Sequence, residues 1–237
     1  MKYKAVIFDL DGTLIDSMGI WLQVDQEYLS KRHIPVPDDL FTDIPEGNSY
    51  KEICQYFKDK FHLADSIEEI GQEWQEMVEQ HYKTDIALKP DAQKLIKYLH
   101  EHNVKMGIGT SNTKYLAKTV LAANHVLDYF DSIISGCADI KGKPFPDIFL
   151  KVADELQVNP ADCLVIEDTF SGVQAAHHGG MDAFAIFDDH ETHEIDTLRK
   201  EADFYAENFG EILDKLNDQH RGTEAQRTSE SKVQCTK

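Results

Sequence analysis

No apolar run in this 237-residue chain approaches the roughly 18 residues that a membrane span requires. Basic residues are scarce: 24 Lys and Arg stand against 43 Asp and Glu, a net charge of -19. That balance argues against a nucleic acid or an anionic membrane as partner. It also means that an anionic small-molecule substrate needs local positive charge or a metal ion. Cysteine is sparse too, and Cys54, Cys137, Cys163 and Cys235 show neither CxxC nor His/Cys metal spacing. They read as reduced thiols of a cytoplasmic protein. Met1-Lys2-Tyr3-Lys4 leads straight into a strand and leaves no room for a signal peptide. No internal repeat is found, and no exposed apolar stretch demands a partner, so a monomer is expected. The length suits one large domain, or a medium domain with a small insert.

What is present is organised around Ala5-Val6-Ile7-Phe8-Asp9-Leu10-Asp11-Gly12-Thr13-Leu14. A short apolar run reads as a strand buried on both faces, as in a parallel sheet. It ends in two carboxylates two residues apart and a glycine suited to a tight turn. Open α/β sheets bind ligands at the carboxyl ends of such strands. An Asp-Gly turn without chemistry is the plainer alternative, at about even odds for this stretch alone.

Downstream, Asp16 or Ser17 caps a helix to about residue 32, and Pro35 and Pro37 break the chain. Helical spacing recurs over 50–60, and Ser66-Ile67-Glu68-Glu69 is a capping box that opens a helix to about residue 81. Residues 17–83 thus carry no strand signal and read as an inserted all-α region. From residue 84 strands alternate with helices, which predicts a parallel sheet. Strands are expected at 104–109, 132–134, 163–166, 183–187 and 204–205. Helices start at Pro90, at Asn112 or Thr113, and at Pro146, and a closing helix covers 209–216. Beyond it apolar residues nearly vanish, so 218–237 is expected to be a disordered tail. The remaining core is then 1–16 with 84–217.

Three polar clusters fall where strands end. Gly109-Thr110-Ser111-Asn112 places hydroxyls and amides ahead of a helix N-terminus, a cradle for phosphate oxygens or an ordinary cap. Gly142-Lys143-Pro144-Phe145-Pro146 holds one lysine between prolines. Glu167-Asp168-Thr169 sets adjacent carboxylates at a strand end, which favours a hard divalent cation. Each cluster alone has a bland explanation. Together they bring four carboxylates to one sheet edge, where two like charges about 4 Å apart repel by around 4 kcal/mol at an effective dielectric of 20. A cation is needed beyond Lys143, and Mg²⁺ is the natural choice beside a phosphate.

Asp9-Leu10-Asp11-Gly12-Thr13-Leu14 resembles the first motif of the haloacid dehalogenase superfamily, and the later clusters follow the order of its other motifs. The resemblance covers about residues 1–216. It implies a Rossmann-like parallel sheet core with an inserted helical cap of the group that includes beta-phosphoglucomutase and sugar-phosphate phosphatases. By position it makes Asp9 the nucleophile, Asp11 the general acid/base, Thr110 the phosphate-binding hydroxyl with Ser111 and Asn112 beside it, and Lys143 the third-motif lysine. Asp9, the Asp11 carbonyl, Glu167 and Asp168 would bind Mg²⁺. The activity implied is hydrolysis of a small phosphate monoester through an aspartyl phosphate.

The cap departs from beta-phosphoglucomutase. Trp21 stands where that group has a histidine ten residues after the second Asp, and Tyr50 stands where an arginine grips a distant phosphate. Both are expected to line the substrate pocket, and the change favours a phosphatase over a mutase. A phosphosugar isomerase is the alternative within enzymes, and a non-catalytic phosphometabolite-binding protein is the rival outside them. Neither Lys31 or Lys51 as a Schiff-base lysine, nor His177, His178, His190 and His193 as a second metal site, has support from spacing.

Overall fold

A computed structural model describes residues 1–37, 40, 50–136, 140–190 and 195–234, with side chains described as far as residue 221. Cys137, His193 and Cys235 lie outside the described residues.

Six parallel strands form one sheet in the order β3-β2-β1-β4-β5-β6. They are β1 Ala5–Phe8, β2 Lys105–Thr110, β3 Ser132–Ser135, β4 Cys163–Glu167, β5 Asp182–Ile186 and β6 Phe204–Ala206. The continuous apolar run of β1 is explained by its place between β2 and β4, with helices over both faces. Alternation along the strand sends Val6 and Phe8 to one core and Ala5 and Ile7 to the other. The first core is closed by α4 (Ala92–Glu101), α5 (Lys114–Ala123) and α9 (Phe209–Gln234), the second by α6 (Asp147–Leu156) and α7 (Phe170–His178). A short α8, Ile195–Glu201, adds Leu198 to the second core.

Between β1 and β2 the chain makes four helices, of which α1 (Met18–Lys31), α2 (Tyr50–Lys60) and α3 (Ile67–Thr84) pack on one another. Their shared interior is aromatic: Trp74 meets Phe57 edge-on at 4.7 Å and Tyr28 at 5.7 Å. The Ser66 capping box forms, with Glu69 N–H on the Ser66 hydroxyl at 3.2 Å and Ser66 N–H on Glu69 at 2.7 Å. Two chain crossings join this insertion to the sheet side by side, where Asp16 N–H donates to the Ala87 carbonyl at 3.1 Å and Ile15 bridges Leu88.

Two boundaries differ from expectation. Helix α4 begins at Ala92 rather than Pro90, because Asp91 takes a left-handed conformation (φ 65) just before it. The closing helix does not stop at 216 before a disordered tail but runs to Gln234. Absence of apolar residues removes packing, not helicity. Phe209, Ile212 and Leu216 dock the first turns, and propagation through Glu, Gln, Lys, Arg and Ala is then far easier than nucleation.

Candidate active site

Every strand-end cluster faces the same edge. Asp9 directly follows β1, with its N–H on the Ile166 carbonyl at 3.0 Å. The chain then turns sharply: Leu14 and Ile15 N–H groups both return to the Leu10 carbonyl, at 2.9 and 3.0 Å. Gly12 makes this turn at φ +78, and a side chain there would run into the Asp168 carboxylate.

Lys143 enters from the loop before α6 and is buried. Its ammonium donates to Asp9 Oδ1 at 2.6 Å and to Glu167 Oε1. The other oxygen of Glu167 accepts from Asp168 N–H, Thr169 N–H and the Thr169 hydroxyl, each at 2.9 Å. Gly172 leaves the room this carboxylate occupies. Burial alone would strip the proton from Lys143, but Asp9 and Glu167 outweigh it and hold the ammonium well above its ordinary range. Burial pushes Asp9 up to about 7 despite Lys143, with Glu167 and Asp11 adding to the rise. Asp168 is driven well above the carboxylate range by burial, then by Glu167 and Asp9, although Thr13 donates to it at 2.5 Å. One buried ammonium thus bridges two of the three buried carboxylates, Asp9 and Glu167, and Asp168 takes the Thr13 hydroxyl instead.

Asp11 has different company. Its Oδ1 accepts from the Ser17 hydroxyl at 2.7 Å, the Trp21 indole at 3.2 Å and the Tyr82 hydroxyl, and its Oδ2 from Asn112 at 3.0 Å. Asn112 and Thr110 are buried at the end of β2, and the Thr110 hydroxyl accepts the Asn112 N–H at 3.1 Å. Ser111 is half-buried, and its carbonyl accepts Tyr50 N–H at 3.2 Å, which ties α2 to the sheet side. The Thr113 hydroxyl caps α5 just beyond, accepting Leu116 N–H at 3.2 Å, so Thr110, Ser111 and Asn112 stand at a helix N-terminus. Tyr50 turns its hydroxyl away to the Gly71 carbonyl at 2.7 Å, while its ring lies edge-on to Trp21 at 6.0 Å.

Among the described residues, no three His, Cys, Asp or Glu side chains form a ready-made metal cage. Lys143 stands between two of the carboxylates. The donor set nevertheless fits a hard divalent cation. It consists of oxygens, it carries excess buried negative charge, and the missing side chain of Gly12 lets Asp168 Oδ2 lie against the Asp11–Gly12 main chain.

Residues 6–186 match the family model of haloacid dehalogenase-like hydrolases. The chain belongs to this family. It is similar to a probable pseudouridine-5'-phosphatase of Drosophila melanogaster, 28% identical over 225 residues, covering 88% of this chain and 94% of that protein. It is also similar to beta-phosphoglucomutase of Bacillus subtilis, 30% identical over 197 residues, with 77% and 83% covered. Its fold matches that of CbbY from Rhodobacter sphaeroides in complex with phosphate, with TM-score 0.79, 22% identity, and 89% of this chain and 96% of that one covered. The protein is thus an enzyme of the haloacid dehalogenase-like hydrolase family.

Several site residues escaped the sequence reading. Thr13 stands within the first motif without a role of its own, Ser17 reads only as a helix cap, and a lone Tyr such as Tyr82 near a helix end reads as core. Lys89 and Asp188 pair at 2.8 Å beyond β5, and Lys89 also donates to the Phe187 carbonyl at 2.9 Å. Asp188 accepts His190 N–H at 2.9 Å, so that histidine belongs to this pair. His177 sits 3.0 Å from Asp203. A carboxylate directly after the expected strand 183–187 was the available signal for Asp188.

Proposed function

We propose that this enzyme hydrolyses a small phosphate monoester, of the phosphorylated sugar or nucleoside class, through a phosphorylated Asp9. The observation that carries this reading is Asp9 at the end of the central strand, bridged by Lys143 at 2.6 Å and within one turn of the multiply hydrogen-bonded Asp11. We assign residues 1–16 and 84–217 to the catalytic core and 17–83 to a cap that closes over it.

In the first step a carboxylate oxygen of Asp9 attacks phosphorus and the bond to the ester oxygen breaks, dividing one hard hydrolysis into two displacements. Asp11 gives the leaving oxygen a proton, then takes one from the water that attacks the aspartyl phosphate. Inorganic phosphate leaves and Asp9 is restored. Lys143, the Thr110 hydroxyl, Ser111 and Asn112 receive the phosphate oxygens, where fixed donors oppose the charge that develops on transfer. Mg²⁺ held by Asp9, the Asp11 carbonyl and Asp168 would supply positive charge between the nucleophile and an anionic phosphate. Glu167 belongs with this set through its charge; here its oxygens hold Lys143 and the main chain of Asp168 and Thr169.

Similarity to the Bacillus subtilis beta-phosphoglucomutase favours a second reading, isomerisation of a phosphosugar. Trp21 opposes it, because an indole only donates and cannot relay a proton between sugar hydroxyls. Phosphate release from a panel of sugar, nucleoside and glycolytic phosphomonoesters, with and without Mg²⁺ and beside Asp9→Asn, tests the proposal. Mg²⁺-dependent release lost in Asp9→Asn supports it. Interconversion of hexose phosphates without release would replace it with the mutase.

A further inference from the structure

Tyr82 lies in the last turn of α3 and is fully buried. Its oxygen accepts the Trp21 indole N–H at 2.9 Å and an Asn112 amide N–H at 2.9 Å. Indole nitrogen is a donor only, and the Asn112 amide is oriented by its own carbonyl oxygen, which accepts Thr113 N–H at 2.7 Å. Both lone pairs of the phenol are therefore filled, which leaves its one proton directed to Asp11 Oδ1. Burial first, and the Asp11 charge next, push Tyr82 well above the usual tyrosine range, so it remains a donor.

The Ser17 hydroxyl also donates to Oδ1 at 2.7 Å, and the single Trp21 N–H is shared between Oδ1, at 3.2 Å, and the Tyr82 oxygen, so Oδ1 is saturated. Oδ2 takes only Asn112 among the described residues, and keeps a lone pair for a proton. Three of the four donors to Asp11 (Ser17, Trp21 and Tyr82) come from the inserted region or its entry, and one from the sheet side.

We propose that Tyr82 is a positioning residue that fixes the Asp11 carboxylate so that Oδ2 exchanges the proton with the leaving alcohol. This rests on Asp11 being the general acid.

The test is kcat/KM for p-nitrophenyl, phenyl and benzyl phosphate, since that ratio covers the steps through departure of the alcohol. A good leaving group has little need of an acid and a poor one depends on it. Tyr82→Phe keeps the ring and removes the proton. It should lose about tenfold or more with benzyl phosphate and no more than about twofold with p-nitrophenyl phosphate, a share of the 10²–10⁴ typical of acid catalysis. Asp11→Asn should show the same trend more steeply. Equal losses on all three esters, or none, beside a steep trend in Asp11→Asn would overturn the role given to Tyr82. A flat Asp11→Asn profile would instead remove the acid assignment, and this inference with it. Should Tyr82→Phe not fold, Trp21→Phe removes a donor to the same two oxygens and must show the same ordering of esters, or the inference falls.

Discussion

Asp25 offers a test of the fold that needs no substrate. It lies in α1 beside Val24, Tyr28 and Leu29, 5% exposed, with no hydrogen bond or ion pair among the described residues. Burial alone pushes its carboxyl up to about 8. Between the ordinary aspartate range and that value, the folded protein keeps a proton that the unfolded chain has released. Unfolding then releases a proton, so stability present at low pH is lost as pH rises through the window. At about 1.4 kcal/mol per unit, the loss from roughly pH 5.5 to pH 8 is about 3 kcal/mol. Asp25→Asn keeps the shape and polarity of the neutral acid and does not titrate. Urea unfolding of parent and variant across that range gives the difference directly, and subtraction cancels the carboxylates they share. The variant's advantage over the parent should grow by about 3 kcal/mol between pH 5.5 and pH 8. A difference that does not change with pH would refute the reasoning.

Lys143→Met should remove turnover and cost about 3–5 kcal/mol, because it strands Asp9 and Glu167 as buried charges. Thermal melts should show part of that loss recovered as pH falls, beginning above 7, because Lys143 no longer holds Asp9 down to its native value of about 7. Gly172→Ala drives a methyl into the Glu167 carboxylate and should cost about 1–3 kcal/mol by overpacking, with a matching loss of phosphate release; wild-type stability would mean that Glu167 moves freely. Mg²⁺ should raise the melting midpoint more at pH 8 than at pH 6, since protons compete for Asp9 across its value of about 7. Differential scanning calorimetry with Asp9→Asn as control checks this, and an identical response in the control would remove Asp9 from the metal set.

The sheet and its chemical edge were legible because parallel strands leave a simple record. A buried run such as Ala5–Phe8 or Cys163–Glu167 ends where polar residues begin, and parallel pairing sends every such end the same way. Asp9, Thr110, Lys143, Glu167 and Asp168 needed no knowledge of the helices. Tyr82 did. It reaches Asp11 only because the chain leaves and re-enters the sheet through adjacent crossings, a relation 71 residues apart in sequence that periodicity does not record. The extent of the closing helix was not legible for another reason: a helix once started propagates on backbone hydrogen bonds and propensity, and an apolar census is blind to both.

These two kinds of residue divide the work. Asp9, Thr110 and Asp168 hang from strand ends that cannot shift without disrupting the sheet, and in the proposed mechanism they and Lys143 handle the phosphate, the part common to every substrate. In that mechanism Asp11 meets the part that varies, giving its proton to the leaving alcohol and taking one from water. Among the site carboxylates, Asp11 is bonded by donors from both the sheet and the insertion. On this reading an alcohol that fits against Trp21 leaves the donors to Asp11 in place, and one that displaces Trp21 or Tyr82 also disturbs the acid that must expel it. Selection among leaving groups can thus change by substitution at the helices alone, through kcat as well as binding, while the phosphate-handling edge of the sheet stays as it is.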